Sequence, residues 1–256
     1  MPRRNHFARA IADRQKQIGL WVSLANPYAA EVVAGAGYDW ALVDMEHAPG
    51  TLDSVLGQLQ AFAASGTTAI VRPDWNDAVL VKRLLDMGAP GLLFPMIQTV
   101  EEARSAVAAT RYPPHGVRGV AGTTRANNFG RDTRYFADIE RETAVLLQIE
   151  TRAALAKADA IAAVEGVSGI FFGPADIGAD MGHLGQPMHA DVWAAIRPVA
   201  RRLIDAGMPV GTLVSDAAFA AELLRDGFTF VACGSDAGLL ARGADALLAS
   251  VKGAIS

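Results

Sequence analysis

Eight short apolar runs recur along the chain, at 19–24, 40–46, 68–72, 91–96, 143–150, 168–173, 208–214 and 228–234. Most are continuous rather than alternating, the pattern of parallel strands buried on both faces. Helix-compatible segments fill the gaps, at 27–35, 52–64, 77–87, 100–109, 152–163, 190–206, 216–225 and 237–251. Thr99 and Glu102 have capping-box spacing at the start of the fourth of these, and several segments end beside glycine, as at Gly88, Gly166, Gly207 and Gly227. Strand and helix alternating eight times predict an α/β protein, a (β/α)8 TIM barrel forming one domain over 1–256, with an extra N-terminal helix near 5–16.

The rest of the composition narrows the partners. A chain that is 51% hydrophobic fills one large core, and a net charge of −4 argues against a nucleic-acid partner. The one cysteine, Cys233, excludes a disulfide framework and a cysteine zinc site. The charged N-terminus lacks an apolar signal core, and no apolar stretch of roughly 18 residues suggests a membrane span. A cytoplasmic protein without a membrane partner is expected.

In such barrels the chemistry sits where strands finish. The second run, WALVDMEH, finishes in Asp44, Glu46 and His47; the third in Arg72; the fifth in Gln148 and Glu150; the sixth leads through Gly173 and Pro174 to Asp176. Glu150 and Asp176, on neighbouring strand ends, suit a hard cation such as Mg²⁺, Mn²⁺ or Co²⁺. Each is equally readable as a carboxylate capping a helix or loop. Arg72 reads either as a structural ion-pair partner or as a fixed cation for a substrate carboxylate or enolate oxygen. His47 is a proton-transfer candidate, with Asp44 or Asp86 as a carboxylate to hold its tautomer; Glu46 can serve as support.

Imine chemistry would require a lysine in the barrel pocket. Lys16, Lys82, Lys157 and Lys252 all fall in expected helices, which favours a metal-stabilised enolate. Two segments stay open. CGSDAG follows the eighth strand, where many barrels hold phosphate. The stretch 111–141, with six arginines, has no clear periodicity; Arg118 and Arg125 flank GVAGTT, and the segment reads either as a loop that reaches the mouth to help select the substrate or as a solvated surface loop or subunit contact.

Together these pieces resemble the class II pyruvate-dependent aldolases of the HpcH/HpaI family, which act on 4-hydroxy-2-oxoheptanedioate and 2-dehydro-3-deoxyglucarate. The matching stretches are GLWVSLANPYAAEVVAGAGYDWALVDMEHAP, VRPDWND, RYPPHGVRGV, LLQIETR and FFGPADIGADMGHLGQP, in order over nearly the whole chain. Met45 and TTRANNF depart from the usual pattern, which bears on the shape of the mouth and the acceptor. The resemblance implies a divalent metal on Glu150 and Asp176. It implies that His47, supported by Asp44 and Asp86, handles protons and that Arg72 stabilises the enolate. Gln148 and the backbone at Ala175 and Asp176 would hold the 2-oxo acid. It also implies a homohexamer with the last helix exchanged between neighbours. The expected reaction is reversible aldol addition of pyruvate, or a related 2-oxo acid such as hydroxypyruvate, to an aldehyde. A decarboxylase of oxaloacetate-like acids, a non-catalytic keto-acid binder and a phosphosugar enzyme are the competing readings.

Overall fold

The computed structural model describes residues 5–255. Eight parallel strands close in chain order, β8 pairing back to β1. They are β1 Gln17–Val22, β2 Trp40–Asp44, β3 Thr68–Arg72, β4 Gly91–Phe94, β5 Ala144–Ile149, β6 Gly169–Phe172, β7 Val210–Leu213 and β8 Phe230–Ser235. The surrounding helices begin with α1 His6–Ala12, α2 Pro27–Ala34, α3 Leu52–Phe62, α4 Ala78–Asp86, α5 Val100–Thr110 and α6 Tyr135–Glu142. They continue with α7 Arg152–Leu155, α8 Ala158–Ala162, α9 Pro174–Asp180, α10 Ala190–Asp205, α11 Ala217–Arg225 and α12 Asp236–Ala254. The (β/α)8 barrel with an added N-terminal helix is therefore present, and the capping box at Thr99 and Glu102 opens α5.

Strand parity divides the core in two. Outward residues such as Ala41, Val43, Val71, Leu147 and Phe172 pack under the helices. Inward residues form a separate aromatic-rich cluster of Trp21, Trp40, Leu42, Ile70, Leu146, Phe171 and Phe230. Phe7 and Ile11 of α1 belong to that inner cluster and stopper the N-terminal end of the barrel. The Phe7 ring lies 5.4 Å from Trp40 and 5.7 Å, edge-on, from Phe230. Gly19 and Gly211 admit these large rings, since a Cβ on either would overlap Trp40 or Phe230.

Several boundaries differ from expectation. β1 starts two residues earlier because Gln17 opens the ladder with β8 opposite Phe230. The N-terminal helix stops at Ala12, before Arg14 turns left-handed at φ +57°. The segment expected at 152–163 is two short helices, α7 and α8. Lys16 thus lies just before β1 and Lys157 between α7 and α8, still with no lysine at the C-terminal end of a strand. Within 111–141, α6 forms on the buried ring of Tyr135.

Replacing Phe7 with alanine should empty the stopper and cost about 3–5 kcal/mol, read as a lowered denaturant midpoint. An unchanged midpoint would mean that α1 does not support the barrel.

Candidate active site

The alternation that builds the inner cluster also aims the polar residues. On β2, Trp40, Leu42 and Asp44 share the inward face, and on β3 Ile70 precedes Arg72 by one inward step. On β5 the inward series Ala144, Leu146, Gln148 leads to Glu150 just past the strand. Each apolar column therefore ends in a polar group at the C-terminal mouth.

Asp44 and Arg72 are direct neighbours in the β2–β3 register. Arg72 Nε and Nη2 donate to Asp44 Oδ1 and Oδ2, each at 2.8 Å, a planar fork on a planar carboxylate. The third nitrogen, Nη1, lies 2.8 Å from Glu46 Oε2. The Trp21 ring covers the guanidinium, with Cζ 4.9 Å from its centroid, and its Nε1 donates to Asp44 at 3.2 Å. Burial pushes the Asp44 carboxyl up, but the hydrogen bonds and charge of Arg72 outweigh it and hold it below the usual range. Glu46 moves the other way, because burial exceeds the pull of Arg72 and His47 and the charges of Asp44 and Asp176 oppose its ionisation.

Glu150 is 2% exposed. Its Oε1 accepts from Gln148 Nε2 at 2.6 Å and its Oε2 from the Met96 N–H at 2.8 Å. Met96 reaches it from the end of β4 with a left-handed φ of +51°, a strained conformation in a residue that carries a Cβ. Gly173 makes the room: a Cβ there would stand 2.7 Å from Glu150 Oε1. Burial pushes the Glu150 carboxyl up to about 8; the Met96 N–H opposes this, and the charges of Asp176 and Glu46 add to it. Asp176 sits in the first turn of α9 rather than on a strand end, and no side chain caps that helix.

Three expectations need correction. Asp44 does not support His47, because both its oxygens are taken by Arg72, Trp21 and the Glu46 N–H. His47 is largely exposed, and the carboxylate near it is that of Glu46, with Oε1 4.0 Å from its Nε2. Asp86 is the last residue of α4, which runs away from the mouth, so within one chain it lies at the opposite end. There it accepts from the wholly buried guanidinium of Arg118 at 2.6 Å. Arg125 also stays away from its own chain's mouth, donating to the carbonyls of Met87 and Leu59, where α4 and α3 end.

CGSDAG is internally occupied. Asp236 Oδ1 accepts from the Ser23 N–H at 2.8 Å, Oδ2 from the Leu24 N–H at 3.2 Å, and Ser235 caps α12. A carboxylate already answers that helix end, which argues against phosphate there. A cavity of about 800 Å³ lies away from this chemistry, between α1, the ends of α3 and α4, and α6. Its Arg9, Arg134 and Arg141 are paired with its own Glu142 and Asp138.

Sequence reading missed Trp21, Met96 and the space that Gly173 leaves for Glu150. Trp21 was legible from parity, as the inward residue at the top of β1. Nothing in the local sequence marks Met96, whose contribution is a backbone N–H.

A closed parallel barrel with acids and one guanidinium gathered at its C-terminal mouth defines a TIM-barrel enzyme. Residues 17–243 match the HpcH/HpaI aldolase/citrate lyase family. The chain is 53% identical over 245 residues, 96% of each protein, to a pyruvate aldolase of Rhizobium etli. It is 49% identical to a 4-hydroxy-2-oxo-heptane-1,7-dioate aldolase of Salmonella heidelberg, covering 96% of this chain and 94% of that one. The crystal structure of an HpcH/HpaI aldolase/citrate lyase family protein from Burkholderia cenocepacia superposes with a TM-score of 0.93 at 38% identity, covering 97% and 99% of the two chains. The chain belongs to the HpcH/HpaI aldolase/citrate lyase family. It is a carbon–carbon lyase with aldolase activity.

Asp44→Asn should strand a buried guanidinium and cost about 3–5 kcal/mol. Because the Asp44 pKa is lowered in the fold, the pair's contribution is complete above the unfolded carboxyl value and is lost as pH falls through the folded one. Acid titration of unfolding free energy should show that loss in the parent and not in the variant.

Proposed function

We propose that the protein adds the enolate of pyruvate, or of a related 2-oxo acid such as hydroxypyruvate, to an aldehyde, and reverses that addition, with a divalent cation on Glu150 and Asp176. The observation that carries this is a charge surplus. Asp44, Glu46 and Glu150 act on Arg72, Asp176 adds its charge on Glu46 and Glu150, and the cations acting on those two are Arg72 and, for Glu46, His47. A hard dication answers that surplus: two carboxylates hold it, and water and substrate oxygens complete its shell, so no third protein ligand is needed. Mg²⁺, Mn²⁺ and Co²⁺ all fit this donor set. When bound, such an ion polarises the keto group and so acidifies the adjacent methyl.

The protein's own groups do the rest. The uncapped N–H groups at Ala175 and Asp176, opening α9, face the substrate carboxylate. Gln148 holds Glu150 in place and keeps a second amide N–H for the 2-oxo acid. Arg72, locked by Asp44, Glu46 and Trp21, offers fixed positive charge to the developing enolate oxygen without reorganising. His47, exposed at the rim, takes and returns the protons.

The protein acts as a homo-oligomer, with a hexamer as the proposed state. α12 buries only Asp236 and leaves Leu239, Leu240, Leu247, Leu248 and Val251 exposed, an apolar helix suited to packing on a neighbouring subunit. Asp86 acts on His47 only from such a neighbour, since its own chain holds it at the far end. No described helix is long and apolar enough to cross a membrane, consistent with the proposed cytoplasmic location.

Pyruvate methyl exchange in D₂O, followed by NMR with added Mn²⁺ or Mg²⁺, tests the reading. Exchange should be metal-dependent and vanish in Glu150→Gln and Asp176→Asn, and a protein giving only background exchange is not this aldolase. Because an ion must displace the Glu150 proton, its affinity should climb with pH, by up to about tenfold per unit, and level off above pH about 8. Mixing inactive His47→Ala and Asp86→Ala chains should restore part of the activity, because some sites then receive both intact residues; inactive mixtures would confine Asp86 to a structural role.

A further inference from the structure

A second group of metal-ligating side chains lies outside the carboxylate site, on the connection between α9 and α10. His183 and His189 stack there, ring centroids 3.7 Å apart and planes within 15°. One oxygen of Asp191, Oδ2, lies 3.2 Å from His183 Nε2 and 3.7 Å from His189 Nδ1. Among the described residues this is the one group of three or more His, Cys, Asp or Glu whose ligand atoms lie within 4.8 Å of one another. We propose that His183, His189 and Asp191 form a second metal site, for a borderline divalent ion such as Zn²⁺, Ni²⁺ or Cu²⁺.

The spacing suits that chemistry. In a tetrahedral site with zinc–donor bonds near 2.1 Å, neighbouring donors stand roughly 3.4 Å apart. The two nitrogen–oxygen separations bracket this value. The donor set is right as well: two imidazoles and a carboxylate favour zinc, nickel or copper over magnesium. His189 Nδ1 accepts a hydrogen bond from the Asp191 N–H at 3.2 Å, so Nδ1 carries the lone pair and the ring proton sits on Nε2, a tautomer that leaves Nδ1 to a metal once that bond is given up.

The backbone around the group is held in place. His183 N–H donates to Gly178 at 2.7 Å, His189 N–H to Gln186 at 3.0 Å, and Trp193 Nε1 to Pro187 at 2.9 Å. Only the rings must move: parallel stacked rings point their lone pairs side by side, and rotation about the broad terminal torsion of histidine turns both toward one ion. All three side chains keep a solvent-accessible edge, with exposures of 24%, 33% and 64%, which leaves room for water to complete the shell. The ion displaces the helix-cap hydrogen bond at His189. Its gain is a tie between the end of α9, whose first turn carries Asp176, and the start of α10.

The two sites then sort metals by hardness. Mg²⁺ fills one site per chain, whereas Zn²⁺ or Cu²⁺ fills two. The test uses the tag-free, metal-stripped full chain in its native assembly, with Cu²⁺ as the probe and electron paramagnetic resonance as the readout. The expected result is a species with hyperfine structure from two imidazole nitrogens. It should persist in Glu150→Gln and disappear in His183→Ala. By calorimetry, Zn²⁺ should bind this site at least about tenfold more weakly in His183→Ala and in Asp191→Asn. Mg²⁺-supported pyruvate exchange in His183→Ala should match the parent, showing the fold and catalytic mouth intact. An unaltered two-nitrogen signal in His183→Ala, no such signal in the parent, or Zn²⁺ binding only at millimolar concentration would each overturn the proposal.

Discussion

The Arg72 guanidinium occupies the boundary between two incompatible environments. Below it lies the barrel interior, filled with aromatic and aliphatic side chains; above it lies a mouth lined with carboxylates. A buried cation is costly unless every donor is answered, and here Asp44 takes two nitrogens, Glu46 faces the third and Trp21 covers the plane. That arrangement depends on adjacent strands carrying Asp44 and Arg72 in matched register. A one-residue slip of either strand would turn the acid or the arginine toward the helices.

With Arg72 held from beneath, the remaining carboxyl groups crowd one another and oppose each other's ionisation. The physical sign of this is divergent acidity within one mouth. Asp44 is held low by direct pairing, whereas burial and like charges keep Glu46 and Glu150 protonated to higher pH. Such splitting is typical of functional sites. Glu150 is nonetheless tightly positioned, clasped by Gln148 and Met96 and given space by Gly173. Its geometry is fixed by the protein.

The two ends of the barrel divide the work. The N-terminal end is closed by Phe7 and Ile11 and braced by the buried guanidinium of Arg118 on half-buried Asp86. The C-terminal end carries Asp44, Glu46, Arg72 and Glu150 and, on the loop after α9, the histidine pair. The arginine-rich stretch 111–141 belongs to the first end, since it joins a helix to the next strand. Its first turn packs back on α5, where the Val117 N–H donates to the Ala108 carbonyl. Within a single chain its Arg118 and Arg125 are tied to α3 and α4, away from the mouth.

Much of this was readable from one dimension. Eight buried apolar runs with helices between them specify a parallel barrel because such runs have no alternative place to be buried. The polar residues ending those runs, Asp44, Arg72, Gln148 and Glu150, follow from the same pattern, since strand ends of a barrel converge. What the linear sequence left undecided were relations between distant segments. Nothing local says that Asp44 binds Arg72 rather than His47, because the choice rests on strand register. Nothing local says that Asp86 lies far from His47, because helix direction carries it away. Met96 contributes only a backbone N–H, which any residue possesses, so its role arises solely from where β4 ends against β5. Composition and periodicity determined which face each residue occupies; closure of the barrel decided which residues meet.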